Sequence, residues 1–163
     1  MARSFTFGTL IALALCFSSP LSFAMASGLY VEGKVYCDTC RVEFETKLSE
    51  FISGATVKLE CKNSENNTIT YAVEGVTGAQ GNYRIPVEGD HEDDICEVRL
   101  IKSGMADCTE PFKSVDRARI VLTKNVGVVQ PARYANPLGF MKKEANPECG
   151  NVLKDMGFLP LNK

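Results

Sequence analysis

The sequence predicts an all-β fold, either an antiparallel sandwich or an open barrel of short strands. In several segments apolar and polar residues alternate with a period of two, which is typical of strands with one buried face. These segments recur at intervals of roughly a dozen residues and are separated by turns rich in Gly, Pro and Asn. Cysteines are spread along the same segments, which suits a small β-fold closed by disulfides.

The N-terminal residues have the features of a secretory signal peptide. Arg3 is followed by an apolar run over residues 5–17, and a small-residue cleavage pattern ends at Ala26. The run is shorter than the roughly 20 apolar residues that span a bilayer, so a membrane anchor is less favoured. We therefore expect residues 1–26 to be a signal peptide and residues 27–163 to form one secreted, extracellular domain without membrane insertion.

Composition and cysteine count limit the possible classes of protein. The formal net charge is −2, so no basic excess is available to neutralise nucleic-acid phosphates, and we expect no nucleic-acid partner. One of the seven cysteines, Cys16, belongs to the predicted signal peptide. The other six predict three disulfides in an oxidising compartment, but the residues alone leave many pairings open. These six are Cys37, Cys40, Cys61, Cys96, Cys108 and Cys149.

The first predicted strands follow the signal peptide. Residues 30–37 alternate apolar and polar positions and end in Cys37, which predicts the first strand. Residues 42–51 suit a short helix, and equally a strand and a loop. Residues 56–61 alternate again and predict a second strand in which Cys61 faces inward.

Three further strands are predicted in the middle of the chain. Residues 69–76 are rich in β-branched and aromatic residues, which favour strands. Residues 82–87 follow a glycine-bracketed turn, and Pro86 indicates an edge strand or a bulge. Residues 96–101 alternate and predict a fifth strand, with Cys96 facing the core.

The C-terminal third is predicted to be mostly irregular. Residues 118–123 and 126–130 are short apolar segments that predict two more strands. Prolines, including Pro131 and Pro147, interrupt the pattern beyond them. Residues 151–156 suit one or two helical turns.

The segment Asn66-Asn67-Thr68 is the only N-glycosylation sequon in the sequence. It lies in a polar stretch between the second and third predicted strands, where a surface turn is expected. In a secreted protein this position predicts glycosylation of Asn66.

The motif Cys37-Asp38-Thr39-Cys40 admits three chemical interpretations: a redox pair, half of a zinc site, or two members of a disulfide framework. A redox pair needs a helix N-terminus that lowers the pKa of its nucleophile, whereas Cys37 ends a predicted strand. Zinc needs two more ligands at suitable spacing, and the other cysteines are isolated. A disulfide framework is therefore favoured, and we expect no metal and no cofactor.

His91 is the only histidine, and it lies in the acidic run of residues 88–94. A catalytic pair with serine or cysteine would have to use this side chain. The run lacks the glycine and distal glutamate of an EF-hand loop, so calcium binding is also less favoured. We interpret the run as a solvated loop, and the sequence then contains no recognisable catalytic constellation.

Five segments match a known family in order. They are residues 32–41 (EGKVYCDTCR), 54–61 (GATVKLEC), 81–87 (GNYRIPV), 93–96 (DDIC) and 136–140 (NPLGF). Together they resemble the plant pollen glycoproteins of the major olive-pollen allergen family (Ole e I-like). The resemblance extends over nearly all of residues 28–160 and includes all six cysteines.

The resemblance implies a seven-stranded sandwich or barrel of the transthyretin-like kind, with short helices. It also implies a disulfide pairing, and in the chain-entropy model each bond would stabilise the fold by about 4 to 5 kcal/mol, less any strain. The implied pairs are Cys37–Cys108, Cys40–Cys149 and Cys61–Cys96.

The resemblance further implies a secreted, often glycosylated protein that is abundant in pollen and frequently allergenic, with relatives linked to pollen hydration and tube growth. We expect a non-enzymatic protein that binds an extracellular protein partner, either a receptor ectodomain or a wall component. One alternative is an inhibitor of a secreted hydrolase that presents the loop of residues 103–115. Another is a carbohydrate-binding or glycan-acting wall protein.

Overall fold

The computed structural model of the protein describes residues 28–158. The predicted signal peptide, residues 1–26, lies outside the described residues. Within them the chain forms ten strands and one short helix, so the predicted all-β class is confirmed. The elements are β1 (Tyr30–Asp38), β2 (Glu50–Phe51), β3 (Thr56–Asn63), β4 (Ile69–Val76), β5 (Asn82–Pro86), β6 (Asp94–Lys102), β7 (Cys108–Pro111), β8 (Arg117–Ile120), β9 (Ala132–Tyr134), β10 (Leu138–Lys142) and α1 (Cys149–Asp155).

The strands form two sheets. The first is organised around the long strand β1, whose N-terminal half pairs antiparallel with β5 and parallel with β9. The C-terminal half of β1 pairs parallel with β10 and antiparallel with β2, and β10 continues to β7. The second sheet has the order β4-β3-β6-β8 and is entirely antiparallel.

One continuous core contains inward side chains from both sheets. In β1 the alternation places Val31, Val35 and Cys37 in the interior, where none has exposed surface. Val57 and Leu59 of β3 are likewise fully buried. Because this apolar area is removed from water, it supplies the main favourable free energy of folding.

The sequence located five of the longer strands well. β1, β3, β5 and β6 show the period of two, and β4 is rich in β-branched and aromatic residues. Pro86 is the last residue of β5, which pairs only with β1 among the described strands, as expected for an edge. The helical turns predicted at residues 151–156 are present as α1. Residues 42–51, which suited either a short helix or a strand and a loop, consist of turns and bends that lead into β2.

The prediction of a strand at residues 126–130 is wrong, because this segment is a loop in which Gly127 has a positive φ of 71°. Conversely, β9 and β10 lie in the region that the prolines indicated to be irregular. Both are short, and both pair in parallel with β1 about 100 positions earlier in the chain. A local pattern cannot reveal such pairing. The described residues form ten strands, whereas the resemblance implies seven.

Candidate interaction surface

The two cysteines of the Cys-x-x-Cys motif are bonded to separate distant segments. Cys37 is bonded to Cys108 with a Cα–Cα distance of 6.0 Å, and Cys40 to Cys149 with 5.4 Å. All four are buried, with Cys37 and Cys108 fully so. A sulfur atom held in a disulfide is neither a nucleophilic thiolate nor a zinc ligand, so this junction is structural.

Asp38 organises the turn between these cysteines. Its buried carboxylate accepts hydrogen bonds from the backbone N–H groups of Cys40 (2.9 Å), Val42 (2.6 Å) and Glu43 (2.7 Å). Arg41 and Glu43, which follow the motif, have positive φ angles of 58° and 61°. A carboxylate with three N–H donors holds this strained turn closed. The turn in this way sets the relative positions of Cys37 and Cys40, the first cysteines of the two disulfides.

The third disulfide joins Cys61 and Cys96, which are register partners on β3 and β6. The three bonds are therefore the pairs that the resemblance implies. His91 lies beside this disulfide, and possible ligand atoms of Cys61, His91 and Cys96 lie within 4.8 Å of one another. Because the two sulfur atoms are bonded to each other, they offer no thiolate to a metal.

The interpretation of His91 as part of a solvated loop is wrong, because only 9% of the residue is exposed. Its Nδ1 lies 2.9 Å from the carboxylate of Asp94 and its Nε2 lies 3.0 Å from the carbonyl oxygen of Glu88. The ring also packs on Tyr71, with ring centroids 4.9 Å apart. Hydrogen bonds from Thr70 and His91 lower the pKa of Asp94. The acidic run is thus folded around its histidine.

Residues 103–115, the segment proposed for hydrolase inhibition, do not form one projecting loop. The segment contains β7, which pairs with β10, and Phe112 packs edge-on against Tyr36. The carboxylate of Glu43 accepts hydrogen bonds from the backbone N–H groups of Lys113 and Ser114. The hydrogen bond from the Ser114 hydroxyl, together with these two backbone bonds, lowers the pKa of Glu43. A tethered segment of this kind offers little support for the inhibitor hypothesis.

Asn66 is exposed in the turn between β3 and β4. Its side-chain oxygen accepts hydrogen bonds from the backbone N–H (3.0 Å) and the hydroxyl (2.7 Å) of Thr68. Asn67 between them has a positive φ of 58°. The sequon therefore lies at an accessible turn, and glycosylation of Asn66 stays a prediction.

A group of exposed apolar side chains lies between the end of β8 and the strand β9. Four valines and a tyrosine form it, and Val129 is 99% exposed. A groove of about 310 Å³ runs between four of these side chains and is bordered by Arg119. We call this group the valine surface; it consists of Val121, Val126, Val128, Val129 and Tyr134.

Buried Arg133 holds the loop that carries the valine surface. Its guanidinium donates hydrogen bonds to the carbonyl oxygens of Gln130 (2.5 Å), Ala132 (3.1 Å) and Thr123 (2.8 Å). These contacts close residues 123–133 around one side chain. The exposed valines are therefore presented by a fixed loop.

The folded acidic run supports the same loop from the other side. The backbone N–H of His91 donates to the carbonyl oxygen of Leu122 at 3.0 Å, and the Thr123 hydroxyl donates to Asp90 at 3.3 Å. The side-chain amide of Asn125 donates to Glu92 at 2.5 Å. The contacts of the acidic run thus lie within the molecule, at the base of the valine surface.

The rim of the valine surface includes two exposed cations and an open strand edge. Arg119 and Lys124 are exposed, and neither has an ion pair within residues 28–158. Among the described strands β8 pairs only with β6, so its other edge presents unpaired backbone groups. Contiguous exposed apolar area with a polar rim is typical of a protein-binding site.

Sequence reasoning missed the valine surface because it assigned residues 126–130 to a strand. The available signal was incomplete alternation: Val128 and Val129 are adjacent apolar residues, and the residue between Val126 and Val128 is Gly127, which has no polar side chain. Exposure of these side chains depends on what packs against them, and only the fold shows that nothing in the described chain covers them.

In residues 28–158 no helix reaches the length and apolar character needed to cross a bilayer.

The family model described as pollen protein Ole e 1 like matches residues 28–157. The chain is 53% identical over 151 residues to the Olee1-like protein of Betula pendula, an alignment that includes 90% of this chain and 91% of that protein. It is 50% identical over 150 residues to the anther-specific protein LAT52 of Solanum lycopersicum, with 91% and 93% included.

A solved structure gives the same fold. The crystal structure of the major plantain pollen allergen Pla l 1 superposes with a TM-score of 0.68 at 37% sequence identity. The superposition includes 74% of this chain and 98% of that chain. The chain is therefore similar to this plantain protein in both sequence and fold.

Proposed function

The chain belongs to the family of Ole e 1-like pollen proteins, and from this membership we propose that it is a secreted pollen protein that binds an extracellular protein partner through the valine surface. Curated relatives in this family are named as pollen-specific proteins and pollen allergens. The proposal includes removal of residues 1–26, glycosylation of Asn66, allergenicity, and a binding role without catalysis in pollen hydration or pollen-tube growth.

The observation that carries the proposal is the exposure of five large apolar side chains within residues 121–134, four of which line one groove. Leaving such a group in water is unfavourable, and burying it against a partner gains roughly 25 cal/mol for each Å² of apolar area. The residues that contribute most to binding at protein interfaces are enriched in aromatic side chains. Tyr134 is 70% exposed and is available for such a contact.

Charge and geometry define the partner's chemistry. Arg119 and Lys124 favour acidic groups beside the apolar contact. The open edge of β8 favours an extended segment that adds a strand to the sheet. We therefore propose that the partner, a receptor ectodomain or a wall protein, presents an extended segment in which apolar and acidic residues alternate.

The test compares purified, disulfide-intact protein with the variant Val128→Asp/Val129→Asp. Cross-linking to intact pollen tubes, followed by quantitative mass spectrometry, identifies candidate partners, and each candidate ectodomain is then purified and titrated by surface plasmon resonance. The double variant should bind at least about 30-fold more weakly, because two apolar contacts are replaced by charged groups that the partner would have to desolvate.

Val76→Asp is the matched control, because Val76 is also an exposed valine, at the end of β4, the edge strand opposite β8 in the second sheet. This control should bind as the wild-type protein does. Equal binding by the double variant contradicts the proposal. So does light scattering that shows a dimer dissociated by the same double variant, since the occupant of the valine surface is then a second copy.

A further inference from the structure

A second concave site lies on the outward face of the first sheet, where β1 pairs with β5 and β9. It is a cleft of about 490 Å³, which is within the range of small-molecule sites. The side chains relevant to binding are those of Glu32, Lys34, Asn82, Arg84, Tyr134 and Pro137.

Strand register explains how these side chains share one face. Glu32 is opposite Arg84 of β5 and opposite Tyr134 of β9, so these three form a row across three strands. Lys34 is opposite Asn82 in the next row on the same side. Because alternate residues of a strand point to the same face, both rows are directed into the cleft.

The two cations of the cleft already have anionic or aromatic partners. The ammonium group of Lys34 lies 2.8 Å from Glu45, and the guanidinium of Arg84 lies 3.6 Å from Glu32. Arg84 also stacks over Tyr30, with 3.6 Å between its guanidinium carbon and the ring centroid. The charges of the cleft are therefore balanced, and its chemistry favours an uncharged ligand over an anionic one.

The remaining groups suit a ligand that combines hydroxyl groups with an apolar face. Tyr134 is 70% exposed and offers a ring surface at the margin of the cleft. Glu32 accepts hydrogen bonds, and the Asn82 amide both donates and accepts them. Pyranose and furanose rings present C–H faces for stacking and hydroxyl groups for such side chains. We propose that this cleft binds a neutral oligosaccharide.

The cleft is separable from the valine surface. Tyr134 belongs to both, because it lies on β9 between them. The polar side chains of the cleft are on β1 and β5, whereas Val128 and Val129 are on the loop before β9. Substitutions at Asn82 and at Val129 therefore test two different sites.

The experiment titrates ¹⁵N-labelled, disulfide-intact protein with cellopentaose, xylopentaose and arabinopentaose, and with trigalacturonate as the anionic comparison. At least one neutral probe should shift the amide resonances of Gly33, Asn82 and Tyr134. Asn82→Ala should weaken its binding by about 3- to 10-fold through loss of hydrogen bonds. Tyr134→Ala should weaken it by about 10-fold or more, while Tyr134→Phe retains it, because the ring supplies the stacking surface.

Val129→Asp serves as the control and should bind the sugar as the wild-type protein does. Since Asn82 and Tyr134 are exposed, their variants should keep the wild-type amide spectrum away from the cleft. The proposal is overturned if no neutral probe binds at millimolar concentration, if Tyr134→Ala binds unchanged, or if trigalacturonate binds more tightly than every neutral probe. Loss of sugar binding without loss of partner binding in Asn82→Ala distinguishes this site from the proposed protein contact.

Discussion

Replacing Glu60 with glutamine tests how strongly the second sheet depends on one buried carboxylate. Glu60 lies in the middle of β3, and only 5% of it is exposed. Its oxygen atoms lie 2.9 Å from the ammonium of Lys58, 3.1 Å from that of Lys62 and 2.6 Å from the guanidinium of Arg99. Glutamine keeps the shape of the side chain but leaves these three cations without their common anion.

The magnitude follows from the pKa of the carboxyl group. Hydrogen bonds from Lys58 and Lys62, with the charge of Arg99, lower the pKa of Glu60 from 4.5 to about 2. At neutral pH that difference corresponds to about 3 kcal/mol of folding free energy. Because the two lysines are about one-third exposed, solvent screening reduces the expected value to about 2 kcal/mol.

The sign of the pH dependence follows from linkage. A carboxyl group with a lower pKa in the folded state stabilises it above the unfolded pKa, which is 4.5 here, and this stabilisation is lost as the pH falls through about 2. Urea unfolding at pH 7 should therefore give a free energy of unfolding about 2 kcal/mol lower for Glu60→Gln than for the wild-type protein. The difference should shrink steadily between about pH 5 and pH 2.

Glu74→Gln is the matched control, because Glu74 is exposed on the neighbouring strand β4. It should change the free energy of unfolding by no more than about 0.5 kcal/mol. The reasoning is refuted if Glu60→Gln also changes it by less than about 0.5 kcal/mol at pH 7. A difference that stays constant down to pH 2 would refute it equally.

Two further outcomes are expected. Replacing Cys40 and Cys149 with alanine opens a loop with a sequence separation of 109 and should lower the free energy of unfolding by about 4 to 5 kcal/mol. Replacing Cys61 and Cys96, which are 35 positions apart, should lower it by about 1 kcal/mol less than that. Equal losses of unfolding free energy in denaturant titrations would contradict the loop-length argument. Protein secreted by plant cells should carry a glycan mass that disappears in Asn66→Gln, and an unchanged intact mass would show that the sequon is unused.

Individual elements show how far local pattern predicts this fold. β4 was predicted from residues 69–76 and is observed as Ile69–Val76, because its β-branched and aromatic residues suit a pleated, half-buried surface. β9 and β10 were missed, since each is short and gains its hydrogen bonds from β1, far away in the chain. The prediction of a strand at residues 126–130 failed for a related reason: its valines suit a strand in isolation, but no other segment of the described chain pairs with it.

The candidate sites divide in the same way. The sequence identified Asn66 and the six cysteines, because a sequon and an even cysteine set are local or compositional signals. It misjudged His91, because the acidic neighbours predicted exposure. The contact of that ring with Asp94 is local, but its packing on Tyr71 of β4 arises only when the fold brings these segments together.

The sequence by itself therefore determined the all-β class, most of the long strands, the family and the cysteines available for bonding. These properties depend on residue types and on spacing along the chain. Only the tertiary structure decided that β1 lies at the centre of one sheet, that the Cys-x-x-Cys cysteines reach different segments, and that the valine surface and the cleft are open. Burial and mutual approach depend on which distant segments pack together, and that is settled by the summed contacts of the whole chain.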